Sequence, residues 1–186
     1  NLTLVGSAYL GKGNSSNNTV TGTEAANSLN GNGGDDFVYG FGGDDILSGY
    51  TGNDFVYGGE GRDNIHGGDQ DDSVYGDAGN DDVYGDKGND FVYGGDGDDK
   101  VRGNDGDDVL FGGAGIDQVY GDSGIDQFVF DATALLGIDR VRDFNASIGE
   151  KLILSNLLVD FDPLTDAITD FVMITQVSSN SFMHVD

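Results

Sequence analysis

Gly31-Asn32-Gly33-Gly34-Asp35-Asp36-Phe37-Val38-Tyr39 opens the stretch that decides the fold, and the same nine-residue pattern runs on to Val129. Read in nines, the chain continues GFGGDDILS, GYTGNDFVY, GGEGRDNIH, GGDQDDSVY, GDAGNDDVY, GDKGNDFVY, GGDGDDKVR, GNDGDDVLF, GGAGIDQVY and GDSGIDQFV. The first place of every unit is glycine. The sixth is always aspartate: Asp36, Asp45, Asp54, Asp63, Asp72, Asp81, Asp90, Asp99, Asp108, Asp117 and Asp126. The eighth is always apolar, from Val38 through Ile65 and Val101 to Phe128. Aspartate and glycine are common turn formers, but that explains scattered examples rather than an unbroken column.

Glycines at places one and four allow positive φ, so the first half of a unit is a loop. The last three residues are rich in Val, Tyr and Phe and suit a short strand. Strand side chains alternate, so place eight faces inward while places seven and nine face out. One unit cannot bury its own inward residue, so units must stack. Two units make one turn of a coil with a strand on each side, and turns stack about 4.8 Å apart. The repeat then predicts about five and a half turns and a rod of roughly 26 Å.

In such a coil, residues eighteen apart are stacked neighbours. Asp36, Asp54, Asp72, Asp90, Asp108 and Asp126 run down one edge, and Asp45, Asp63, Asp81, Asp99 and Asp117 down the other. Unit charges about 4 Å apart repel by about 1 kcal/mol in water and about 4 kcal/mol near a protein surface. Such columns call for a cation. Carboxylates and loop carbonyls are the oxygen donors calcium prefers. Zinc and copper would want His or Cys, and the repeat holds one histidine and no cysteine.

The units resemble the RTX nonapeptide G-G-x-G-x-D-x-U-x, whose family fold is a calcium-binding β-roll. The resemblance implies an all-β, right-handed parallel β-roll in which each ion sits between stacked loops. It implies ligation by both aspartates, by carbonyls at places two and four of the earlier loop, and by carbonyls at places one and three of the later loop. On this chain the first site would use Asp36, Asp54 and the carbonyls of Asn32, Gly34, Gly49 and Thr51. The next would use Asp45, Asp63 and those of Phe41, Gly43, Gly58 and Glu60. Further along, the implied carbonyl ligands include Gly52, Gly61, Gly67, Asp69, Gly76, Gly79, Gly85, Gly88, Gly94, Gly97, Gly103, Gly106, Gly112 and Gly121. Stacked pairs on the two edges give roughly nine Ca²⁺ ions.

Three departures stand out. Gln70 replaces a place-four glycine, which is expected to strain or weaken the Asp72–Asp90 site. Arg62 puts a cation beside Asp63. Ile116 and Ile125 replace the polar fifth residue, which suggests the roll is ending.

The chain has 186 residues, 33 of them Gly, and a formal net charge of −26. Such a surface disfavours nucleic acid and anionic membrane. About nine divalent ions would bring the charge to roughly −8, which a small domain tolerates. No cysteine is present, which excludes a disulfide framework and cysteine catalysis. Weak calcium sites suit an extracellular setting, where modules work at roughly 10⁻⁴–10⁻³ M. No run of eighteen apolar residues is present. The chain begins at Asn1 without a basic-then-apolar run, so no signal peptide is expected there, and the missing initial Met fits a piece of a longer protein.

Residues 1–30 are neutral, and NLTLVG, NNTVTG and ANSLNG read as degenerate coils of a metal-poor cap, with Asn27 standing where an aspartate would be. Residues 31–129 form the roll and 130–186 a C-terminal cap. In that cap, Gly137–Val141 repeats places four to eight of a unit, so Asp139 is a candidate to close a last site beside Asp117. Asp162-Pro163 predicts a short helix to about Phe171, and VMITQV with SFMHV predicts a hairpin. DQFVFD, GIDRVRDFN, GEKLILSNLL and SFMHVD resemble the tail of type I secreted proteins, especially bacterial surface adhesins. Glu150 and Ile153 replace both acids of the related G-x-D-K-L-D-L tail, so the resemblance carries no metal site to that motif.

The outward columns are unequal. Phe37, Tyr39, Phe55, Tyr57, Tyr75, Phe91, Tyr93 and Phe111 make one face apolar. The column reads equally as a stabilising aromatic ladder or as a covered interface, for another protein or a second copy.

Three functions follow as expectations. The first is a calcium-binding module that folds on reaching extracellular calcium and supports export of a larger adhesin through a type I channel. The second is the C-terminal module of a secreted protease, lipase or epimerase. No H-E-x-x-H or G-x-S-x-G occurs, so no catalysis is expected in this chain itself. The third is glycan adhesion through the aromatic face. Ice binding is disfavoured, because the third column (Gly33, Gly42, Thr51, Glu60, Asp69 and onward) is no regular Thr/Asn array.

Overall fold

The computed structural model describes residues 1–130, 139–154, 172–177 and 180–185. Two parallel sheets face each other across a narrow core. The first has nine strands: β1 (Leu2–Thr3), β3 (Thr19–Thr23), β5 (Phe37–Gly42), β7 (Phe55–Glu60), β9 (Ser73–Ala78), β11 (Phe91–Asp96), β13 (Val109–Ala114), β15 (Gln127–Phe130) and β17 (Lys151–Leu154). The second has eight: β2 (Leu10–Lys12), β4 (Ser28–Asn30), β6 (Ile46–Thr51), β8 (Asn64–Asp69), β10 (Asp82–Lys87), β12 (Lys100–Asp105), β14 (Gln118–Ser123) and β16 (Arg140–Val141). From β1 to β17 the chain alternates between the sheets, and among β1 to β15 each strand pairs in parallel with the one eighteen residues on, as in Val38↔Val56 and Val83↔Val101. This is the parallel β-solenoid that the nine-residue period requires.

The place-eight column is the core. Val38, Leu47, Val56, Ile65, Val74, Val83, Val92 and Val101 are all 0 % exposed. Each such side chain contributes about 1.5–3 kcal/mol of burial. Leu4, Val20 and Leu29 extend the column at one end, and Phe128, Phe130 and Val141 at the other.

The stack is longer than the acidic repeat. The expected degenerate coils are present as β1 to β4, and Val20↔Val38 and Leu29↔Leu47 continue the register into the roll. At the other end Arg140↔Gln118 and Val141↔Val119 place β16 on β14, as the repetition of places four to eight predicts. β17 adds a further rung: Gln127↔Lys151 and Phe128↔Leu152 stack it on β15. The roll therefore has nine rungs in one sheet and eight in the other, more turns than the acidic repeat alone supplies. Ile116 and Ile125 end the polar loops, whereas the stack itself continues to Leu154.

β18 (Val172–Val177) and β19 (Asn180–Val185) pair antiparallel, from Val172↔Val185 to Val177↔Asn180, as the predicted hairpin. The predicted helix lies outside the described residues, and among those described there is no helix. No helix among them is long and apolar enough to cross a membrane.

The aromatic face is a ladder. Phe37 stacks on Phe55 at 5.0 Å, Tyr39 on Tyr57 at 5.1 Å and Tyr57 on Tyr75 at 4.8 Å. Phe91, Tyr93 and Phe111 continue it with tilted rings. Phe37, Phe41 and Phe55 remain exposed at one end.

Candidate metal centre

The loops at the two edges bring the sixth-place aspartates into register. All eleven are buried, none more than 3 % exposed. Each carboxylate has two unequal oxygens. Oδ1 accepts the backbone N–H of the sixth residue one coil earlier: Asp36 N–H donates to Asp54 Oδ1 at 2.7 Å, and Asp45 N–H to Asp63 Oδ1 at 2.8 Å. The same bond recurs down both edges to Asp108 N–H on Asp126 Oδ1 at 3.0 Å. Oδ2 of every one of the eleven is buried without a hydrogen-bond partner. A buried carboxylate oxygen left unpaired costs free energy. Eleven in two files mark a structural need rather than an accident.

Backbone oxygens face the same gaps. A Cβ added at Gly40 would lie 2.2 Å from Asp45 Oδ2 and 2.4 Å from the Gly58 carbonyl of the next coil, so this glycine keeps space for two oxygens. The same pair of oxygens, one carboxylate and one place-one carbonyl, borders Gly58, Gly67, Gly76 and Gly94. Place-four carbonyls point forward: the carbonyl of Gly34 faces Gly52, and that of Gly79 faces Gly97. Place-two carbonyls do likewise, Phe41 toward Gly59 and Asp77 toward Gly95. The place-three carbonyls of Asp69 and Ala78 point back and accept Gly52 N–H and Gly61 N–H.

Places two and four of all eleven acidic units have positive φ, whereas the place-one glycines, expected to use it, do not: they are needed for the space they leave to the neighbouring oxygens. Glycine takes this freely, but Phe41 (φ 79°) and Tyr50 (φ 87°) take it at a cost of order 1–3 kcal/mol each. Bulky residues held left-handed point to a loop shape fixed by something other than local preference.

Each corner thus gathers two carboxylates and carbonyl oxygens. Among the described residues, no three His, Cys, Asp or Glu side chains converge on one point. The donor set is oxygen alone and mostly backbone, which suits a hard divalent cation with several ligands and fits calcium rather than zinc. The orphaned Oδ2 atoms are the observation that carries this fit.

Burial raises these carboxyls. Asp54, Asp63 and Asp117 are pushed up to about 6. Asp45, Asp81, Asp90 and Asp108 reach about 7, and Asp72 and Asp99 about 8. Asp36 and Asp126 are raised as well. Desolvation is the main cause throughout, opposed by the N–H bond to Oδ1.

Asp139 joins the column. It is 4 % exposed, its Oδ1 accepts Asp117 N–H at 3.0 Å, and burial lifts it to about 7. The Arg62 guanidinium turns away from Asp63 and pairs with Asp82 at 2.9 Å. Gln70 keeps the loop by adopting φ 81°, and its Oε1 accepts Gly52 N–H at 2.8 Å. The Asp72 N–H still reaches Asp90 Oδ1 at 2.8 Å.

A second ladder escaped the sequence reading. Fifth-place side chains cap the following coil: Asp35 Oδ1 accepts Asn53 N–H at 3.0 Å, Asn53 Oδ1 accepts Asp71 N–H at 3.2 Å, and Asp71 Oδ1 accepts Asn89 N–H at 2.8 Å. It runs opposite to the sixth-place ladder, so adjacent columns lock each coil in both directions. Ile116 and Ile125 receive such caps from Asp98 and Asp107 but offer none. The signal was the Asp or Asn at place five of most units.

Comparison with known families bears directly on this geometry. The model of the RTX calcium-binding nonapeptide repeat matches four times, over residues 12–40, 39–74, 57–92 and 93–128. No curated protein matches the chain.

Proposed function

The chain belongs to the RTX calcium-binding nonapeptide repeat family, a calcium-binding module of secreted proteins, and from that premise we propose that it is a folding switch for export. Aspartate Oδ2 atoms and place-one to place-four carbonyls, as enumerated from the resemblance, hold calcium between successive loops. The nine repeat pairs each take one ion, and Asp117 with Asp139 takes another. Bound calcium supplies the positive charge that the paired carboxylates lack. Each aspartate fixes its neighbour's backbone through Oδ1 and offers Oδ2 to the ion, so ligation and coil stacking are one event.

Where calcium is scarce, the unneutralised columns oppose coil formation and the chain stays threadable through a type I channel. Outside, binding to sites absent from the unfolded chain becomes folding energy. The C-terminal end emerges first, folds first and resists back-sliding, which supports export of an adhesin-like protein to the cell surface. The eleven orphaned Oδ2 atoms are the observation that carries this reading. Equilibrium dialysis tests it: about ten calcium ions per chain are expected, with compaction in the same concentration range, and fewer than five would refute it.

We propose no catalysis in this chain. His66 Nδ1 lies 2.8 Å from Asp86 Oδ2, and Ser48 is register-paired with His66. That trio lies in one surface groove. The imidazole, however, is stacked on Tyr84 at 4.6 Å, and no hydrogen bond joins it to Ser48. The nucleophile–base contact of acyl transfer is missing.

A further inference from the structure

We infer that the roll ends in one more cation corner, between Asp126 of the last nonapeptide and Glu150, which lies outside the repeats. The inference rests on the calcium reading above.

Register places the two acids in line. Lys151 N–H donates to the Asp126 carbonyl at 2.9 Å, as Gln127 N–H does to Asp108 one coil earlier at 2.8 Å. Lys151 pairs with Gln127, so Glu150 occupies place six of the rung above Asp126, although it lies 24 residues on in the chain rather than eighteen. Glu150 is 7 % exposed and Asp126 is 0 %. Asp126 Oδ2 is one of the eleven orphaned oxygens, and it faces this last gap.

Beside Gly103, one coil earlier, Asp108 Oδ2 and the Gly121 carbonyl come within 2.0 and 2.9 Å of the point a Cβ would occupy. Beside Gly121, Asp126 Oδ2 comes within 2.1 Å of the equivalent point. Asp143 fixes this loop from the next rung: its Oδ1 accepts Gly121 N–H at 3.0 Å and its Oδ2 accepts Asp122 N–H at 2.8 Å. Glu150 Oε2 in turn accepts Asn145 N–H and holds its own loop closed.

Interior corners have two carboxylates, each shared between consecutive gaps. The terminal corner has Asp126 and Glu150, and no further coil shares Glu150. More charge per ion gives a tighter hard-cation site. It fills first and fastens β17 to the roll.

Native mass spectrometry of the calcium-loaded chain tests this. Glu150→Gln is expected to lose one ion, and the tightest step of the calcium titration, while the remaining ions and the β signature persist. An unchanged ion count and titration would overturn the inference. If Glu150→Gln fails to fold in calcium, Asp126→Asn decides: Asp126 serves both the Asp108–Asp126 and the Asp126–Glu150 gaps, so a loss of two ions is expected, and a loss of only one overturns the inference equally. Absence of calcium from the parent chain would instead sink the broader reading.

Discussion

Two sets of coils share one backbone plan and differ at place six. In the N-terminal coils it is Asn18 and Asn27; from Asp36 onward it is aspartate. Asn18 N–H and Asn27 N–H donate to Asp36 Oδ1 and Asp45 Oδ1, both at 2.6 Å, as the aspartates' own N–H groups do further along. The other side of the corner is where they part. Asn18 Oδ1 accepts Asn14 N–H, and Asn27 Oδ1 accepts Thr23 N–H, each at 2.7 Å. The aspartate Oδ2 atoms accept nothing. The place-two backbone explains the difference. Asn14 and Thr23 keep negative φ, whereas place two of every acidic unit is left-handed. Asn32, the first of these, sends its N–H to the Gly49 carbonyl instead. Asparagine coils close themselves with an internal donor; aspartate coils turn that donor away and leave an oxygen for a cation. The same solenoid thus contains rungs whose corners close internally and rungs whose corners leave a buried oxygen without a donor.

The contrast breaks most severely at a central aspartate. Asp90 serves the Asp72–Asp90 and Asp90–Asp108 gaps, so Asp90→Ala should lose two ions. With calcium at 100 times Kd, that is a loss of about 5 kcal/mol, measured by denaturant unfolding in calcium. In EGTA the removal of a buried charge is opposed by the loss of the acceptor for Asp72 N–H, so the same substitution should change stability by no more than about 1 kcal/mol there.

Acid gives the next largest effect. The carboxyls sit near 6 to 8 in the folded coil, as for Asp54 at about 6 and Asp72 at about 8, and lower in the unfolded chain. The folded state binds protons more tightly. Without calcium, this contribution to stability is full below about pH 4 and is lost as pH rises through about 6 to 8. Calcium must displace those protons, so binding weakens on acidification. For a carboxyl near 7, going from pH 7.5 to 5.5 should raise the calcium midpoint roughly 20-fold, about 1.8 kcal/mol per site. Titrations at the two pH values check both signs: more apo structure in acid, but weaker calcium response.

Asn27→Ala probes an internally closed rung. It strips the acceptor from Thr23 N–H and should cost about 1–2 kcal/mol, equally with and without calcium, at an unchanged ion count. The smallest change expected is a gain. Gln70→Gly relieves a left-handed non-glycine residue, and Gly52 N–H keeps the Asp69 carbonyl at 3.2 Å as a partner. A rise of up to about 1 kcal/mol in calcium is expected by the same unfolding assay.

Much of this was legible in the residues. An unbroken place-eight column such as Val38, Val56, Val74 and Val92 states the core and the eighteen-residue register together, because only one stacking buries every member. The aspartate columns likewise follow from period alone. What the repeat could not state was where stacking stops. Leu152 packs beneath Phe128 with no glycine frame around it, and Glu150 reaches place six across a longer excursion, so neither is visible at fixed spacing. The split between Oδ1 and Oδ2 was hidden as well. It depends on which way each peptide turns at place two, and Phe41 and Tyr50 have no intrinsic preference for the left-handed choice. Asn18 passed unnoticed because its role is to complete a corner internally, which leaves no charge pattern to read.

Far-UV circular dichroism of the chain, dialysed against EGTA and then titrated with calcium at pH 7.5, addresses the central claim most directly. The β signal should be largely lost in EGTA and return cooperatively with calcium. An intact β-solenoid spectrum after exhaustive EGTA dialysis, unchanged on adding calcium, would contradict it.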